Sequence, residues 1–126
     1  MDWHDSVLIA AGLIGSGVGL IHGVLMQRLM VKPLGPHLRA NPGIGKVAGR
    51  LVPPLLHFST FNWFIGGIAL IIAALWLRDE ARLAVALLAG SSYLYGAIFN
   101  CWGTRGRHPG WMLCALTVGL IILGIG

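Results

Sequence analysis

Charge is what this 126-residue chain has least of. Four acidic and nine basic residues make up 10% of it, where a soluble domain carries about 25%. Four long stretches hold no Asp, Glu, Lys or Arg at all. That absence removes several function classes. Proton-coupled pumps rely on intramembrane carboxylates, and ion pathways on charged or carbonyl rings. A small four-helix multidrug exporter would carry a glutamate in its first helix, and there is none. Acid–base catalysis by paired carboxylates within the apolar stretches lacks its residues. Cysteine is equally scarce. Cys101 and Cys114 are too few, and too deep in apolar sequence, for a disulfide framework. Basic residues are missing from the start, MDWHDS, which therefore lacks the n-region of a signal peptide. The first apolar run is expected to stay.

What the chain has is apolar length. Hydrophobic residues make up 56% and the mean hydropathy is +0.80, which excludes disorder and a nucleic-acid-binding domain despite the net charge of +5. A transmembrane helix takes about 20 apolar residues. The runs at about 7–26, 55–77, 83–102 and 111–126 predict an all-α integral membrane bundle of four transmembrane helices in one domain, 1–126. The last is short and spans only with some thinning of the bilayer.

Charge placement gives the orientation. The first loop carries Arg28, Lys32, Arg39, Lys46 and Arg50, and the third carries Arg105 and Arg107. All four acidic residues, Asp2, Asp5, Asp79 and Glu80, fall on the other side with Arg78 and Arg82. The positive-inside rule then puts both termini outward and the first and third loops in the cytoplasm of a bacterial inner membrane. Trp3 and Trp76 mark the outer interface, Trp102 and Trp111 the inner one, as an aromatic belt would. The first loop, roughly Gln27 to Pro54, is rich in proline and glycine, so no long regular helix is expected there. Its basic residues suit the anionic inner leaflet. GIGK at Gly43 lacks the spacing and hydroxyl of a phosphate loop.

Two histidines stand within the apolar runs. His22 lies near the cytoplasmic end of the first and His57 near the cytoplasmic start of the second, both within about 10 Å of the inner interface at 1.5 Å per residue. Imidazole titrates near neutrality and ligates haem and metals. The alternative is that each ring hydrogen-bonds a neighbouring helix. On the third run Ser92, Gly96 and Asn100 fall on one face, bordered by Tyr93, while Thr60 and Phe64 flank the His57 face. The reading is a ligand site built from His22, His57, Thr60, Tyr93 and Asn100, for a haem, a quinone or a lipid headgroup, with a bis-histidine b-type haem as its most concrete form. The same polar residues also serve as interhelical glue in many bundles. His22, Met26 and Met30 recur every fourth residue, a face of soft ligands suited to Cu(I), but there is no CxxC and methionine at that spacing commonly packs. Ser16, Ser59, Ser91 and Ser92 have no recognisable base and orienter, so an enzyme is the least supported class.

Gly15, Gly19 and Gly23 form GxxxGxxxG, a signature of close helix packing, either within the bundle or across a homodimer. A small transporter or channel subunit using that dimer, and a structural subunit of a larger complex, are the other functional readings. The stretches IHGVLMQRLMVKPL from Ile21, LLHFSTFNWFIGG from Leu55 and GRHPGWMLCALTVGL from Gly106 resemble a broad group of small four-helix bacterial inner-membrane proteins. The resemblance implies the bundle fold, with histidines at positions 22 and 57, and no reaction.

Overall fold

The computed structural model describes all 126 residues and contains no strands. Helix α1 (Trp3–Met26) starts at a capping box: the Asp2 carboxylate accepts from the Asp5 amide at 2.8 Å and the Asp5 carboxylate from the Asp2 amide at 2.9 Å. This satisfies two of the amides a helix start leaves unpaired. Helix α1 runs on through a π-turn (Gln27–Val31) into α2 (Lys32–Ala40). After a break at 41–45 come α3 (Lys46–Leu56) and, past His57, α4 (Phe58–Trp76). Helices α5 (Asp79–Thr104) and α6 (Gly110–Ile125) complete the chain.

Four of these helices pack together. Helix α1 lies along α4 and α6, and α5 closes the ring against the same two. The α1–α4 seam is made by missing side chains. A Cβ on Gly12 would sit 2.5 Å from the Gly67 carbonyl oxygen, and one on Gly19 2.8 Å from the Phe64 amide nitrogen. Gly23 lies under Thr60, and Gly15 under the Tyr93 hydroxyl of α5. The glycine stripe is thus occupied within the chain, and a second copy would have to use another face of α1. Such close backbone approach is what small residues at this spacing permit. Leu8, Leu70, Tyr93, Cys114 and Thr117 are fully buried between the helices.

The outward faces are apolar. Leu13, Leu20 and Val24 on α1, Leu87, Leu88 and Leu94 on α5, and Ile122 and Leu123 on α6 are all exposed, far more apolar surface than a water-soluble monomer leaves uncovered. Three continuous helical stretches, Trp3–Ala40, Lys46–Trp76 and Asp79–Thr104, are long and apolar enough to cross a membrane. Helix α6 is shorter, about 24 Å at 1.5 Å per residue against a hydrocarbon core of about 30 Å.

The proline-rich first loop differs from expectation. It is helical over α2 and α3, with Pro36, Pro53 and Pro54 inside the helices. A proline removes one hydrogen bond and crowds the carbonyl four residues back. The chain accommodates this by keeping the helices short and by widening into the π-turn just before Pro33, where the Lys32 amide reaches back to Gln27 O. Helix α5 also begins earlier than the apolar run at Leu83. Asp79 and Glu80 occupy its first turn, where their charge suits the helix dipole.

Candidate functional site

His22 and Asn100 each lie about one helical turn in from the C-terminal end of their helix, and Ser59 lies at the start of α4. The antiparallel packing brings these ends to one level. His22 Nε2 and Ser59 Oγ are hydrogen-bonded at 2.9 Å, and the same hydroxyl lies 3.5 Å from Leu56 O. The Trp63 indole and the His22 ring meet edge-to-face, at a centroid distance of 4.6 Å and an angle of 68°. Trp63 Nε1 in turn donates to Ser92 O at 3.2 Å, and its six-membered ring lies over Gly96, where a Cβ would collide with it. Gly96 is therefore what allows α5 to carry Trp63 against its backbone.

These residues wall a chamber of about 650 Å³ in the seam between α4 and α5. His22, Ser59, Asn62, Ser91, Ser92 and Asn100 supply hydrogen-bonding groups, and Phe58, Trp63, Tyr95 and Phe99 its rings, Tyr95 with a hydroxyl of its own. No charged residue lines it. Phe58, Tyr95 and Phe99 are exposed on the outside of the seam, with Tyr95 and Phe99 stacked at 4.3 Å. Asn62, also on the exposed side, donates to the Ser92 hydroxyl. The Asn100 amide donates to Gly96 O at 2.7 Å.

A second, smaller cavity of about 160 Å³ lies on the other side of His22, toward α6. It is lined by Val18, Leu25, His108, Leu113 and Cys114 among others, and His22, Trp63 and Asn100 border both spaces. His108 is carried there by the α5–α6 turn. Arg105 and Gly106 take positive φ, and the Gly106 amide closes on Cys101 O at 2.8 Å, a left-handed helix end of the Schellman kind.

The five residues expected to share a site separate into two groups. His22 and Asn100 line the chamber, and so do Ser92 and Gly96 from the same stripe. His57, Thr60 and Tyr93 do not. His57 forms the joint between α3 and α4, and its Nε2 donates to Gln27 Oε1 at 2.9 Å. The two imidazoles thus take different partners and border no common space. Thr60 faces the α1–α4 seam over Gly23, its hydroxyl buried without a partner. Tyr93 is fully buried in the centre of the fold and donates to Trp63 O. The reason is helical phase. Thr60 sits one position beyond Ser59, about 100° round the helix, and Tyr93 one beyond Ser92. Asn62 and Trp63, which sequence reasoning passed over, and Ser59, which it weighed only as a nucleophile, form the α4 face that meets the Ser92–Gly96–Asn100 stripe. Their spacing of three and four residues was the available signal. No cluster of three or more His, Cys, Asp or Glu is poised to hold a metal.

The opposite end is charged and tied shut. Arg82 donates to Asp5 at 2.6 Å and to Gly124 O at 3.3 Å, linking α5 to the start of α1 and the end of α6. Asp5 lies ahead of the apolar run. Its carboxyl is held below the usual range by the Asp2 amide first and the Arg82 guanidinium second.

No protein-family model, curated protein or solved structure matches the chain.

Proposed function

We propose that the protein is a small binding or accessory protein of the bacterial inner membrane, its four packed helices forming a transmembrane bundle with both chain ends outward. Its site lies in the cytoplasmic leaflet and takes the polar head of a neutral, lipid-soluble molecule that enters between α4 and α5. The observation that carries this reading is the chamber of about 650 Å³: uncharged hydrogen-bonding side chains inside, aromatic rings at the exposed seam, and His22 on its inner wall. Ligand sites of this kind are mostly apolar with a few placed polar groups. The basic loops, all at the end nearest His22, support the orientation.

A b-type haem draws less support. His22 Nε2 is engaged by Ser59 and His57 Nε2 by Gln27, and the chamber offers no cation for haem propionates. The test is to purify the protein in mild detergent, extract it with organic solvent and identify what is bound by mass spectrometry. A neutral amphiphile is expected at near-stoichiometric amounts, depleted in His22→Leu and retained in His57→Leu. A Soret band lost in His22→Ala would instead restore the haem reading. Phospholipid alone, equal in wild type and His22→Leu, would overturn the site.

A second reading, a small transporter, rests on one observation: His22, Trp63 and Asn100 stand between the seam chamber and the smaller cavity beside His108. It requires solute flux into liposomes that disappears in His22→Leu.

A further inference from the structure

The hydrogen-bonding groups of the chamber are not gathered at one end. Ser92, with Asn62 bonded to it, stands toward the membrane centre. Asn100 stands toward the cytoplasm, level with the His22–Ser59 pair. Ser92 and Asn100 are eight residues apart on one face of α5, about 12 Å of helix rise. Between the two polar ends the walls are Trp63, Tyr95 and Phe99, with the bare backbone of Gly96 behind the indole.

Each class of membrane amphiphile makes a different demand on such a chamber. A phospholipid head carries a phosphate, which needs a cation or several converging amides, and no Arg or Lys lines the space. A diacylglycerol concentrates its hydroxyl and ester oxygens at one end and presents flexible chains to the rest. A quinone is a flat apolar ring with a carbonyl oxygen on each of two opposite edges. It needs a donor at each end, aromatic carbon above and below, and an apolar exit for its tail. The chamber offers the second Asn62 amide hydrogen at one end, the second Asn100 amide hydrogen and the His22 ring at the other, aromatic rings among its walls, and an exposed aromatic seam toward the bilayer.

We infer that the ligand of this chamber is a prenylated quinone, held across its two carbonyl oxygens by the Asn62–Ser92 pair at one end and by His22 and Asn100 at the other. The inference rests on the function proposed above and narrows it to one chemical class.

The indole of Trp63 gives the readout, because a quinone ring against it quenches its fluorescence. The protein, in phosphatidylcholine nanodiscs, is titrated with a short-tailed benzoquinone, then with a naphthoquinone, and separately with dioleoylglycerol as competitor. Saturable quenching at about one quinone per chain is expected, with most of its amplitude lost in Trp63→Phe. Binding should weaken about tenfold in His22→Leu and in Asn100→Leu, the loss of roughly one hydrogen bond each. His57→Leu, outside the chamber, should bind as wild type, which separates loss of the site from loss of the fold. Dioleoylglycerol should not compete. If dioleoylglycerol binds in a His22-dependent way and the quinones only partition linearly, the quinone inference falls and the site stands. If neither binds saturably, both fall.

Discussion

His22 and His57 are the same residue type at nearly the same depth, yet the structure gives them different work. His22 faces inward on Ser59 and the edge of Trp63, bordering both cavities. His57 pins the α3–α4 joint to Gln27, just past the end of α1. Replacing His57 should therefore loosen the junction and leave the chamber intact. Tyr93 is separable in the same way. Its hydroxyl occupies the space a side chain on Gly15 would need. Gly15→Ala should destabilise the fold by about 1–3 kcal/mol through overpacking, and Tyr93→Phe by about 1 kcal/mol through its lost hydrogen bond. Removing the hydroxyl takes away the nearest contact but leaves the ring carbon Cζ 2.5 Å from the new methyl group, so the double variant should be somewhat more stable than the sum of the two without recovering the wild-type value. Thermal unfolding of the four proteins in one detergent checks this, and strict additivity would refute the contact.

At the scale of the helices, the account turns on which face each one spends. The stripe of Gly12, Gly15, Gly19 and Gly23 is spent on α4 and on Tyr93. Gly19→Ala, whose Cβ would meet the Phe64 backbone, should therefore lower the melting temperature equally at every protein concentration, and a loss that depends on protein concentration would show that the stripe serves a second copy. At the end that holds both chain termini, Arg82 joins three helices through Asp5 and Gly124. Because the Asp5 carboxyl is held below its ordinary value of 3.8, its contribution is present at neutral pH and fades as pH falls below that value. Wild type should melt above Asp5→Asn at pH 7, and the two should converge on acidification below about 3.8. A gap independent of pH would contradict the clamp.

The four apolar runs, and the loops that carry the charge, were legible in sequence because both depend on composition alone. So was the Ser92–Gly96–Asn100 stripe, because three residues at a spacing of four share a face whatever the neighbour. The helical pieces of the first loop were not legible, since a tolerated proline depends on how the backbone around it relaxes. Nor was the division of the five expected site residues. Depth along a helix follows from counting, but phase against a neighbour is set by packing. One position, Ser59 against Thr60 or Ser92 against Tyr93, decides between the chamber and the core.

The whole molecule combines an apolar exterior, a charged clamp at one end, basic loops at the other, and an uncharged chamber opening sideways near the basic end. The amphipathic α3 fits that arrangement. Val47, Leu51 and Leu55 are exposed on one face, beside Lys46 and Arg50, as in a helix lying in the interface of an anionic leaflet. Cysteines placed in the Gly43–Gly45 turn should resist an impermeant maleimide in intact cells, while one at Trp3 should react. The reverse pattern would invert the orientation.

The central claim is that the α4–α5 seam admits a specific neutral molecule and not only boundary lipid. A photo-cross-linking phenylalanine derivative placed at Phe99, at the mouth of the chamber, and separately at Leu87, on exposed surface of the same helix away from it, tests this in living cells. Mass spectrometry of the irradiated protein should find a defined adduct of a neutral amphiphile at Phe99, absent at Leu87 and lost when His22→Leu is added. The same phospholipid adducts at both positions, indifferent to His22, would contradict it.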